Sequence, residues 1–187
     1  MKIVIIRHGK VNYKWNKWYT SEEFDQACSE YNDAPIIEER YKVPDIEYQN
    51  IIMSELSRTH ETAENLHVNA KLKKTALINE VPLKSSKDTK LRIPLWYWNI
   101  SGRLQWFFNS SRQSEGRRQT KKRARRFAGI LINGNKDCLV VTHGFYMHTL
   151  LREMKKMGFS IGKAHSNYKN GEYVVALFSV LSHYSQF

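Results

Sequence analysis

The sequence predicts an α/β fold, a three-layer α/β/α sandwich around a mostly parallel central sheet, and three observations predict it. Short runs of β-branched residues recur at Ile3–Ile6, in "NIIMS" at 50–54 and in "CLVVT" at 138–142, as buried parallel strands do. The run at 138–142 leads straight into a segment with helical apolar spacing, and each of the other two is followed by one before the next run, the alternation that builds parallel sheets. The length of 187 residues and the 41% hydrophobic composition suit one domain with a core of its own, not a disordered chain. A single domain over 1–187 is expected, with a lid or insertion around 81–113.

The elements follow in order. Ile3–Ile6 form the first strand and deliver Arg7, His8 and Gly9 at its end. Thr20 or Ser21 caps a helix whose first turn carries Glu22 and Glu23, as the helix dipole prefers, and whose apolar face is Phe24, Ala27, Cys28 and Tyr31. Pro35 and Pro44 bracket an irregular segment. "NIIMS" is the next strand, followed by the helix "SRTHETAENLHV" with Ser57 as its cap and Thr62, Ala63 and Leu66 facing inward. "TALINE" at 75–80 reads as a third strand, and "IPLWYWNISGRLQWFF" at 93–108 as an amphipathic helix or a lid. A long helix is expected from about Ser114 to Ile132, broken by "NGN". "DCLVVTHG" gives a strand ending in Thr142, His143 and Gly144, and the next helix stops at Gly158. "EYVVALFSVL" is the last strand.

Thirty Lys+Arg against 18 Asp+Glu give a net charge of +12, a field that attracts phosphates, nucleic acids or anionic surfaces without choosing among them. Residues 112–126 hold eight bases and one acid, so most of the excess is local. The run 117–126 reads as a solvated helix face; a nucleic-acid partner is possible there but not favoured, because no aromatics are interleaved. Cys28 and Cys138 form no CxxC pair and suit a reducing compartment, so a cytoplasmic location is expected. The apolar run after Lys2 is too short for a signal peptide, and the stretch 173–181 is too short to span a bilayer.

Parallel strands bring their carboxyl ends to one sheet edge, where ligands sit in such folds. His8 and His143 can meet there although 135 positions separate them. Gly9 and Gly144 permit close approach of an anion, Arg7 offers a planar donor fork, and Arg58 adds a second at a helix start. Two imidazoles and two guanidiniums make a site for a dianionic phosphoryl group. There is no GxxxxGK, which removes a P-loop reading. His60 and His67, seven helical positions apart, are about 10 Å from each other, too far to share a metal. His148 is read as structural.

"RHG" after the first strand, "SELSRTHETAENL" in the middle and "VVTHG" late resemble, in order and spacing, the histidine phosphatase superfamily with its phosphoglycerate-mutase-like fold. The resemblance implies a metal-independent phosphomonoester hydrolase without a cofactor, acting on a small phosphorylated substrate. Under it, neutral His8 attacks phosphorus and becomes a phosphohistidine. Arg7, Arg58 and a protonated His143, with the turn at Gly144, hold the phosphoryl oxygens. Glu80 protonates the leaving oxygen and then activates water. A phosphomutase of the same chemistry and a catalytically weak anion-binding protein are the competing readings. Lys10 and Val11 stand where many members carry Glu and Thr. Ser114 and Glu115 correspond to the helix start that precedes the family's last long helix and are read as capping.

Overall fold

A computed structural model describes residues 1–162 and 167–179. Its six-stranded sheet runs in the order β4-β3-β6-β1-β8-β7: β1 is Lys2–Arg7, β3 Asn50–Met53, β4 Lys71–Lys74, β6 Cys138–Thr142, β7 Ser160–Ile161 and β8 Tyr173–Leu177. The first four in that order are mutually parallel, and β8 joins β1 antiparallel. The sheet is thus mostly parallel, as the sequence predicts. Of the expected last strand, Val180 and Leu181 lie outside the described residues.

Strand alternation sorts the core into two layers. Ile3, Ile5, Cys138 and Val140 point to one face, where they pack against α4 (Arg117–Gly134) and α5 (Gly144–Lys156) through Phe127, Leu131, Met147 and Leu150. Val4, Ile6, Leu139 and Val141 point to the other, against Ala63 and Leu66 at α2 (Ser57–Asn65). β1 is buried on both faces because every residue of its IVII run has a helix layer to meet. A third cluster joins α1 (Ser21–Asp33) to α3 (Leu95–Phe107): Phe24 stacks on Trp98 at 5.5 Å, and the Trp98 indole donates to the Tyr19 carbonyl. The remaining strands, β2 (Trp18–Tyr19) and β5 (Ile93–Pro94), pair antiparallel beside this cluster.

Three local expectations are corrected. "TALINE" is not a strand: Ala76–Ile78 form a 3-10 turn capped by the Thr75 hydroxyl, and only Ile78 is buried. The strand lies just before it, in the exposed "KLKK" of β4, whose lysines disguise an edge that they also protect from pairing with other chains. Ser57 is the first helical residue of α2 and does not cap it; the N-cap is Leu56, whose N–H donates to Ser54. Finally, α4 starts at Arg117 and not at Ser114, with the Gln119 side chain accepting the Gly116 N–H. Its end is as expected, in left-handed Asn135, and Gly158 takes a positive φ of 94° after α5.

Candidate active site

The β1–β6 register pairs Arg7 with Thr142, and the His8 N–H donates to the Thr142 carbonyl at 2.9 Å. The next residue of each strand is a histidine, so the two imidazoles emerge side by side, 5.0 Å apart between centroids and tilted by 58°. Both are buried. His8 Nδ1 lies 2.7 Å from the Gly9 carbonyl; because a carbonyl only accepts, Nδ1 carries the proton and Nε2 the lone pair. Gly9 is held in turn: its N–H donates to the Thr62 hydroxyl, and the Asn170 amide donates to the carbonyls of His8 and Gly9.

His143 is fixed in the opposite tautomer. Arg58 Nε donates to its Nδ1 at 3.3 Å, so its Nε2 bears the proton and donates to Ser54 Oγ at 2.8 Å. Ser54 also accepts the Leu56 N–H and passes its own proton to Thr59, which donates to backbone carbonyls. Each polar atom in this chain therefore has a defined role.

Arg58 is buried at the start of α2. Its Nη1 donates to Asn32, and its guanidinium lies 5.2 Å from the Tyr31 ring centroid. Arg7 Nη1 donates to the Tyr168 carbonyl, while its buried Nε has no hydrogen-bond partner among the described residues. Gly144 makes room for that guanidinium: a Cβ there would fall 2.9 Å from Arg7 Nε.

Burial and the neighbouring Arg58 and Arg7 cations push the His8 pKa down to about 3. Burial, then His8 and Arg58, hold His143 well below its ordinary value. A charge on His143 would face the Arg58 and Arg7 guanidiniums in a buried setting.

Glu80 stands next to this cluster. Its Oε1 accepts the N–H groups of Val81 (2.9 Å) and Tyr146 (3.0 Å), while Oε2 receives only a long 3.4 Å contact from Phe145. The carboxylate caps the first turn of α5, directly after His143 and Gly144. Together with Arg58 it opens onto a cleft of about 680 Å³, which α1 lines with Asn32 and Tyr31 and α3 with Arg103. Cys28 lies in the same wall, but burial pushes its thiol up to about 12, so it supplies no thiolate.

Sequence reasoning passed over Ser54, Asn32 and Arg123. Arg123 belongs to the basic run read as a solvated face, yet it turns into the cleft, donates to Glu115 at 2.8 Å and to the Leu77 carbonyl, and lies 4.1 Å from the Tyr146 ring centroid. Glu115 is accordingly an ion-pair partner and not a cap. The helical period offered the one available signal: Arg123 falls at i+3 from Thr120 and i−4 from Phe127, both buried.

A search of curated proteins found no significant relative. Solved structures with the same fold include the alpha-ribazole phosphatase of Shigella flexneri, at 15% identity with 94% of this chain and 89% of that one covered and a TM-score of 0.57. The phosphoserine phosphatase of Entamoeba histolytica, in a complex with phosphoserine, is 16% identical over 96% of this chain and 91% of its own, with a TM-score of 0.57. A mycobacterial glucosyl-3-phosphoglycerate phosphatase, solved with VO3, is 15% identical over 95% and 98%, with a TM-score of 0.53. The sequence profile of the histidine phosphatase superfamily (branch 1) matches residues 3–179. This chain, with paired histidines at the carboxyl ends of two adjacent parallel strands, belongs to the histidine phosphatase superfamily.

Proposed function

We propose that the protein hydrolyses small phosphomonoesters through a phosphohistidine on His8, without a metal or other cofactor. The observation that carries this reading is the Gly9 contact, which leaves His8 Nε2 unprotonated beside His143 and Arg58. A neutral imidazole with a fixed lone pair is the nucleophile that phosphoryl transfer needs, and the guanidiniums around it offset charge on the equatorial oxygens.

The step runs as follows. The P–Nε2 bond forms while the bond from phosphorus to the ester oxygen breaks, and the leaving oxygen takes the proton of the Glu80 carboxylic acid. Water then attacks the phosphohistidine and gives its proton to the Glu80 carboxylate, releasing inorganic phosphate and neutral His8. Glu80 Oε2, the less engaged carboxylate oxygen, is the one assigned to both transfers. Arg7, Arg58 and the His143 imidazole bind the phosphoryl oxygens, with the backbone at Gly144 allowing Arg7 its position. The phosphatase structures that share the fold, one of them holding phosphoserine, support a small phosphorylated substrate in the cleft.

The test is phosphate release from an aryl phosphate in EDTA, combined with alkaline trapping of phosphoenzyme, in the wild type and in His8→Ala. We expect base-stable, acid-labile phosphoenzyme and turnover in the wild type, and a loss of at least about 10³-fold in the variant. Turnover that survives in a folded His8→Ala protein would overturn the assignment.

A further inference from the structure

Helix α3 has more apolar surface than its fold uses. Trp98 packs against Phe24 and Ala27 of α1 and Gly102 faces Leu83 and the Lys84 carbonyl, but Trp96, Ile100, Leu104 and Phe107 recur at spacings of three and four and form a second stripe. They are 63%, 55%, 53% and 44% exposed, and Phe108 beyond them is 74% exposed. Of the aromatics at 93–108, Trp98 is buried and Trp106 packs against the main core and donates to the Thr120 hydroxyl, whereas Trp96, Phe107 and Phe108 are exposed. A second apolar stripe on a helix normally has a partner of its own. Here Ile100, Leu104 and Phe107, with Phe145 of α5, instead border an apolar hollow of about 440 Å³.

The basic run begins beside this stripe. The Arg117 guanidinium lies 4.3 Å from the Phe107 ring centroid, and the Arg118 N–H donates to Asn109 at the end of α3. Residues 117–126 carry seven bases and no acid, and only Arg123 is turned into the cleft. Arg118, Lys122, Arg125 and Arg126 are exposed. Positive charge in the first half of a helix opposes its dipole, so helix stability does not account for the arrangement.

We propose that the outer face of α3 and the first half of α4 form a docking surface for an anionic lipid bilayer. Tryptophan, phenylalanine and aliphatic side chains enter the boundary between headgroups and acyl chains, and the flanking bases meet the anionic headgroups. Charge and shape distinguish this occupant from others. Ile100 and Leu104 give a nucleic acid nothing to stack on. A two-fold interface between copies of this chain would set the basic half of α4 near its own equivalent. The proposal does not depend on the reaction assigned to His8.

The experiment is co-sedimentation of the full chain with phosphatidylcholine vesicles, with and without phosphatidylserine. It uses the wild type, Leu104→Asp/Phe108→Asp and Lys122→Glu/Arg126→Glu, with circular dichroism and turnover of an aryl phosphate as checks on folding. We expect binding at least about tenfold stronger when phosphatidylserine is present, weakened by salt and reduced at least about fivefold in each variant at unchanged turnover. If the first variant melts early, Phe108→Ser, at the exposed end of the helix, replaces it. No binding of the wild type, or equal binding in the apolar variants, overturns the proposal. So does a single-stranded RNA complex that is indifferent to the apolar substitutions. Concentration-dependent dimerisation abolished by Leu104→Asp would assign the stripe to a second copy instead.

Discussion

His8 and His143 sit where protonation is penalised twice, by burial and by guanidiniums. With His8 at about 3 against an ordinary 6.5, the unfolded chain binds a proton between those values that the native chain does not. Stability therefore falls as pH drops below 6.5 towards 3, and His143, lowered in the same direction, adds to the slope. Urea midpoints across that window should show the decline, and His8→Asn should flatten it. The nucleophile itself stays unprotonated at about pH 5, readable from its ring nitrogen shifts, so the acid limb of kcat/KM reports other groups. Gly144→Ala makes a separate case: its Cβ would press on Arg7 Nε, so KM for a phosphomonoester should rise about tenfold while the thermal midpoint moves little. Glu80→Gln should cost about 10²-fold in kcat on an alkyl phosphate and far less on an aryl phosphate, whose leaving oxygen needs no proton. Equal losses on both substrates would remove Glu80 as the acid. At this scale the sequence showed the residues that end strands, because strand ends are readable from apolar runs. It did not show Ser54, an ordinary-looking serine after β3 whose part depends on its hydrogen bond with His143, or Asn32, which reaches Arg58 only through the packing of α1.

Among the elements, α1 carries the clearest local signal. The Thr20 hydroxyl accepts the Glu23 N–H, and the Glu23 carboxylate accepts the Thr20 N–H, closing a capping box. Thr20→Ala should cost about 1 kcal/mol in urea unfolding. Since α1 also supplies Asn32 to Arg58, the same change should weaken substrate binding before it unfolds the protein. Strands β1 and β6 were legible because their residues are buried on both faces, so apolar identity and structural role coincide. Strand β4 was not, since all four of its residues are exposed and its lysines carry no period of two. Helix α3 was legible as a helix but not in orientation: with apolar residues on every face, the sequence cannot say which one turns inward.

Across the whole molecule, the +12 charge should draw anionic substrates in. We expect kcat/KM for a doubly charged phosphomonoester to fall several-fold between low and physiological ionic strength, with kcat unchanged. Fold class was readable at this level, since strand–helix alternation is a global pattern, whereas the strand order was not, because local sequence does not say which strand β1 will pair with. That order, with β1 between β6 and β8, matters before the protein is finished. The strand synthesised first has both neighbours among the last. Until they arrive, the nascent chain carries Ile3–Ile6 with two open hydrogen-bonding edges, a segment suited to pairing with another copy. Folding yield is then governed by how long that strand waits for its partners, however stable the completed sheet.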